Sequence, residues 1–235
     1  MRIWHGTSSV HLESILGEGL KPRGSKASNW KAASHADLVY LSQAYALHYA
    51  GNAVDKEGGD VLLVEIDTEL LPETRSMLAD EDAILSALSM GIIERPAFAE
   101  YDPELTLHNV AELITADLGK YAEIGADAAW SLSVIGNCTH AGIIPPEAIT
   151  RIVTYSAEAN WWIGFHDPVV AIPNFRYLGG EFVKTQLCLI DRRDEAEAIE
   201  TMFPMFFSLD DLELHLRERK KEVWHRRDGE LIRIF

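Results

Sequence analysis

The spacing of apolar and polar residues divides the chain into short elements. Ile3 and Trp4 read as the end of an apolar strand, which His5-Gly6-Thr7 interrupts with an imidazole, a flexible residue and a hydroxyl. Val10, Leu12, Ile15 and Leu16 then fit the one-sided spacing of a short helix. Gly17 and Gly19 end that helix, because glycine enters left-handed backbone without steric cost. His5 is therefore expected where a strand gives way to a helix, a place where unpaired backbone N–H groups can hold a small ligand. Residues 21–37 form a polar loop with Pro22 and Gly24. Residues 38–42 read as a strand and 43–53 as a small helix with Ala44, Leu47 and Ala50 along one side. Tyr45 and Tyr49 lie four apart and share a face of that helix. Residues 55–60 make a turn through Gly58-Gly59, and 61–66, apolar and rich in β-branched residues, is the clearest strand of the chain.

From residue 67 to 136 helical periods dominate, at 81–90, 105–120 and 122–136, with Thr106 placed to cap the middle one. Tyr101-Asp102-Pro103 punctuates the stretch. It reads as a helical insertion between strands that packs one sheet face, with a lid or docking platform as the alternative. Residues 137–142 return to a strand, Pro145-Pro146 fixes a turn, and 149–155 is another strand. Residues 160–180 are aromatic-rich and irregular, 182–190 predicts a strand, and 210–225 predicts a charged amphipathic helix. There is no internal repeat. The fold class is α+β.

Composition narrows the function more than the fold. At 235 residues and 47% apolar content the chain suits one domain with a core. No apolar run is long enough to cross a bilayer, and the N-terminus carries no secretion signal. Cys138 and Cys188 form neither a metal-ligand spacing nor a disulfide framework, and a reducing cytoplasm is the expected location. No two histidines stand four apart, so no metal is expected and a metal-dependent hydrolase is set aside. The net charge, 21 − 37 = −16, argues against a protein that coats nucleic acid. Two stretches run against that charge. Lys21, Arg23, Lys26 and Lys31 border the His5 turn, and the Lys- and Arg-rich stretch at 217–227 reads as a solvated helix face.

Three points in separate segments stand out: His5, Tyr40 and His140. The order His5-Gly6-Thr7, Gly19-Leu20-Lys21-Pro22, Val39-Tyr40-Leu41-Ser42, an Ala-rich helix with Tyr49, and a strand ending Glu65-Ile66-Asp67 resembles the first half of the ADP-ribosyltransferase fold. That superfamily includes diphtheria-toxin-like and poly-ADP-ribose-polymerase-like enzymes and the RNA 2′-phosphotransferases. Trp130, His140 and the 144–149 segment resemble a pattern in phage and bacterial ADP-ribosyltransferase-like domains. The resemblance implies a split antiparallel β-sheet clasping NAD, with a core at 1–155, a helical insertion at about 68–136, and an extension at 156–235 packed on the same domain.

It also implies roles. His5 would hydrogen-bond the adenosine-side ribose, and Gly6 would present its main chain to the nicotinamide amide. Tyr40 would stack on the nicotinamide ring, with Tyr49 on its other side. Ser42 would support the nicotinamide ribose, Thr7 belongs to the same binding motif, and Lys21 or Arg23 would pair with the pyrophosphate. NAD would be a cosubstrate, and ADP-ribose would pass to a macromolecular acceptor, protein favoured over nucleic acid, as in a phage or bacterial effector or toxin. The third catalytic position, a Glu in most of the superfamily, falls at or next to His140. A neutral imidazole there can accept a proton but supplies no negative charge. Glu147 and Glu181 are spare carboxylates, Glu181 being the better placed because it follows Gly179-Gly180 and opens a strand. Glu195-Ala196-Glu197 has no Ser-Thr-Ser motif before it and is discounted. The alternatives are an inactive NAD-fold module acting through a protein partner, and an RNA 2′-phosphotransferase-like enzyme. The latter class carries a basic N-terminal lobe, for which this chain offers Arg2 and Arg23.

Overall fold

A computed structural model describes residues 1–24, 34–43, 45–72, 77–95, 105–117, 119–124, 126–160 and 217–235. The chain forms two compact units. The first comprises residues 1–20, 41–72 and 144–235, the second residues 21–40 and 73–143. Both mix helices with antiparallel strands, as an α+β chain does.

In the first unit, β1 (Arg2–Ser8) runs antiparallel to β3 (Val61–Asp67) with His5 opposite Val64. Next come β6 (Ile149–Tyr155), β7 (Lys220–Arg227) and β8 (Glu230–Arg233), each antiparallel to the strand before it. On its other edge β1 pairs at Trp4, opposite Ser42, the last residue of β2 (Leu38–Ser42). Helix α1 (Leu12–Glu18) follows a single 3₁₀ turn after β1, and α2 (Ala46–Glu57) lies between β2 and β3.

Strand alternation decides which residues α2 covers. Trp4, Leu63, Val153 and Val223 share a core with Ala46, Leu47, Ala50 and Val54 of α2. Gly6 lies on the same face as Trp4, and a Cβ built on it would stand 1.7 Å from the Ala46 carbonyl oxygen. The glycine is there because the helix backbone needs that space. Ser8 fixes the other end of the helix, its hydroxyl donating to the Gly58 carbonyl at 2.5 Å. Gly58, with φ 76°, terminates α2.

Among the described residues of this unit Glu65 is a buried acid, its side chain 3% exposed. The Arg2 and Arg151 guanidinium nitrogens approach its Oε2 at 3.4 and 3.8 Å, and the Thr150 hydroxyl donates to it at 3.0 Å. The Arg151 guanidinium also lies 5.0 Å from the Trp4 ring centroid.

The second unit pairs β4 (Met77–Ala79) with β5 (Asn137–Ala141), and β5 is followed by β2 in the sheet order. Its described residues also form helices α3 (Glu81–Ser89), α4 (Leu107–Thr115), α5 (Gly119–Glu123) and α6 (Ala128–Ile135). Its core gathers Ala79, Ile84, Leu88, Val110, Ile114 and Ala126. Asp80 caps α3 by accepting the Asp82 N–H, and Thr106 caps α4 in a reciprocal box with Asn109. Gly136 closes α6 in the left-handed conformation.

The structure corrects three expectations. Strand β1 does not stop at Trp4 but runs through His5-Gly6-Thr7 to Ser8, so His5 is a mid-strand residue. A strand tolerates Gly6 because packing against α2 compensates for its weak propensity. Gly17 lies inside α1, and Gly19 alone is its cap. Residues 210–216 of the helix expected at 210–225 lie outside the described residues, 217–219 are helical, and the basic stretch from Lys220 onward is strand β7. It turns through Asp228-Gly229, with φ 51° and 88°, into β8. Two consecutive left-handed residues match the twist of a two-residue hairpin. The punctuation at 101–103 and the expected elements at 161–190 lie outside the described residues.

Candidate functional site

The expected site residues fall into two groups, one in each unit. His5, Gly6, Thr7, Ser42 and Tyr49 belong to the first. By alternation His5 and Thr7 leave the sheet on the face opposite α2, while Gly6 is on the α2 side. The Ser42 hydroxyl accepts the Tyr45 N–H at 2.6 Å and so helps start α2. Along α2, the rings of Tyr45 and Tyr49 lie 6.2 Å apart and those of His48 and Tyr49 5.9 Å apart, both tilted. Burial raises the Tyr45 phenol pKa and lowers that of His48, which favours the neutral form of each.

Arg23, Tyr40 and His140 belong to the second unit. The Arg23 guanidinium donates to the Ser34 carbonyl at 2.6 Å and to the Gly24 carbonyl at 3.2 Å. His140 is 3% exposed on β5, opposite Met77, with Nδ1 3.4 Å from the Gly142 carbonyl. Burial lowers its pKa, so the ring is held neutral.

Tyr40 has the most specific surroundings. Its hydroxyl donates to Glu81 Oε1 at 2.5 Å and accepts the His35 N–H at 2.8 Å. The same His35 N–H reaches Glu81 Oε1 at 3.1 Å. Burial, and then the Glu81 charge, push the Tyr40 phenol far above its ordinary range, so the ring stays protonated. Asp80 and Glu81 are 5% and 6% exposed. Both have raised pKa values because burial penalises their charge, and neighbouring carboxylates add to the effect.

The sequence reading missed these acids as part of the site. Their signal was present: Asp80-Glu81-Asp82 stands immediately before an apolar-periodic stretch, the composition of a capped helix start. Glu81 lies forty-one residues from Tyr40, so spacing alone could not pair them. Glu181 lies outside the described residues. Among the described residues no group of three or more His, Cys, Asp or Glu is arranged to hold a metal, and no helix is long and apolar enough to cross a membrane.

No protein-family model matches the chain, and no curated protein matches it. Among solved structures it is similar to EcPltA at 13% identity and a TM-score of 0.34, over 66% of this chain and 75% of that one. A likeness at that score does not decide between folds.

Proposed function

We propose that the chain is a mono-ADP-ribosyltransferase that cleaves NAD and transfers ADP-ribose to a macromolecular acceptor. The observation that carries this reading is the course of β1. Every residue of β1 pairs with β3, whereas on its other edge pairing with β2 is confined, among the described residues, to Trp4 opposite Ser42. Thr7 spends its main-chain groups on Leu62 of β3, so the motif residue whose main chain faces the other edge is Gly6, and a ligand taken at that edge would be met there. The order of β1, α1, β2, α2 and β3 also matches the order of motifs on which the resemblance rests. In this reading His5 holds the adenosine-side ribose, and Gly6 and Thr7 meet the nicotinamide side through main chain and hydroxyl. Tyr40 and Tyr49 provide ring faces, Ser42 supports the nicotinamide ribose, and Arg23 contributes charge toward the pyrophosphate.

The reaction breaks the bond between nicotinamide and ribose, and the nicotinamide leaves with the electron pair. A nucleophilic oxygen or nitrogen of the acceptor bonds to the same sugar carbon and gives up its proton. The held-neutral imidazole of His140 suits that proton, with Glu181 as a second base. Stabilising the positive charge that builds on the sugar is the main demand on the site.

The test is incubation with labelled NAD and a cell lysate, following nicotinamide release and label transfer. His5→Ala and Tyr40→Ala are each expected to lower turnover by about 100-fold or more, with the thermal melt of His5→Ala close to wild type and that of Tyr40→Ala lowered because Glu81 loses its donor. Normal turnover by both variants overturns the assignment. An inactive NAD-binding module is favoured by one feature, the imidazole of His140 where a carboxylate is the rule. NAD binding without nicotinamide release selects that reading.

A further inference from the structure

We propose that Glu81 is a positioning residue for the Tyr40 ring, a role that rests on the nicotinamide-stacking function proposed above for Tyr40. The geometry is a closed set of three hydrogen bonds. Tyr40 donates to Glu81 Oε1, and one backbone N–H, from His35, is shared between the phenol oxygen and that same Oε1. A phenol held by a single bond can still tilt about it. Here the hydroxyl end is fixed by two partners from different segments, and the other end is fixed by β2.

The anchor itself is stiff. Glu81 opens α3, whose start is capped by the Asp80 side chain. The Asp80 N–H donates to the Ser131 hydroxyl at 2.9 Å, and that hydroxyl donates to the Asn137 carbonyl at 2.8 Å. Ile84 and Leu88 then seat α3 in the core of the second unit. A stacking ring gains affinity when its plane is set before the ligand arrives, because less motion is lost on binding. Glu81 therefore acts on ligand binding through Tyr40.

Both bonds end on Oε1, so glutamine can accept them and alanine cannot. Two readouts separate positioning from bracing of the fold. In steady-state nicotinamide release, Glu81→Ala is expected to raise KM for NAD about tenfold with kcat within about threefold of wild type. Glu81→Gln is expected to recover most of that loss. Tyr40→Phe, which keeps the ring and loses the hydroxyl, is expected to raise KM similarly, and the Tyr40→Phe/Glu81→Ala double variant to be no worse than either single one.

The second readout needs no turnover. In protein labelled with 3-fluorotyrosine, the ¹⁹F resonance that Tyr40→Phe removes should stay dispersed in Glu81→Gln. In Glu81→Ala it should collapse toward the free-tyrosine shift. An unchanged KM and an unchanged resonance in a folded Glu81→Ala protein overturn the proposal. So do equal losses in the glutamine and alanine variants. If wild-type protein releases no nicotinamide, the function of Tyr40 falls and the nicotinamide part of this role falls with it. The fluorine spectra then judge the anchoring alone.

Discussion

In the first unit the buried carboxylate of Glu65 is met by two guanidinium groups and a hydroxyl. In the second, Asp80 and Glu81 are buried beside each other, and among the described residues they accept hydrogen bonds from neutral donors: the Tyr40 phenol and backbone N–H groups. Opposite charges close at hand repay much of the desolvation of a carboxylate, whereas neutral donors repay less and like charges add to the cost. The contrast teaches where each unit invests its polar groups. Around Glu65 they offset the charge of a carboxylate that the sheet buries. Around Tyr40 they hold one ring at the expense of stability, and such an expense is commonest at functional sites.

The comparison can be pressed by substitution. The largest effect is expected at Gly6, where alanine would place a methyl group 1.7 Å from the Ala46 carbonyl oxygen. Helix α2 must then leave the sheet, and Gly6→Ala should cost about 5 kcal/mol, read as loss of the cooperative thermal transition. Glu65→Ala comes next. It leaves Arg151, 13% exposed, without its carboxylate, and a denaturant titration should show a loss of about 3 kcal/mol. If Glu65→Ala is neutral, the first unit does not rely on charge pairing.

Asp80→Asn should act in the opposite direction and by less. Asparagine caps a helix as well as aspartate does, so the bond to Asp82 survives while a buried charge is removed. The folded-state pKa of Asp80 is raised, so the stability linked to its protonated form is full below the ordinary carboxylate range. It is lost as pH rises through the folded value. Asp80→Asn should therefore stabilise by about 1 kcal/mol at pH 7, and the gain should vanish below about pH 4. A melting-temperature series against pH reads both arms. A gain that persists in acid would mean that charge burial is not what separates the two units.

Much of the fold could be read from the chain because its strongest signals are local. Residues 38–42, 61–66 and 149–155 are short runs rich in apolar and β-branched residues, and each is a strand. Thr106 announced its own helix. What escaped depended on partners distant in sequence. His5-Gly6-Thr7 looked like a break because nothing local says that α2 needs the space above Gly6. β4 is three residues long and pairs with β5 about sixty positions away. β7 carries enough Lys and Arg to imitate a helix face, although the Asp228-Gly229 turn was a hairpin signal in plain view. The candidate site divides in the same way. His5, Tyr40 and His140 were singled out from their neighbours, but Glu81 became visible only when the fold brought it to the Tyr40 hydroxyl.

The hydroxyl of Ser131 carries a further consequence. It accepts from Asp80 and donates to Asn137, joining the end of β4, the body of α6 and the start of β5 through one oxygen. The direction in which α3 sets out, and hence where its first carboxylate can reach, is inherited from a small side chain fifty positions downstream. An engineer who wished to retune Tyr40 without touching its surroundings would begin at that serine.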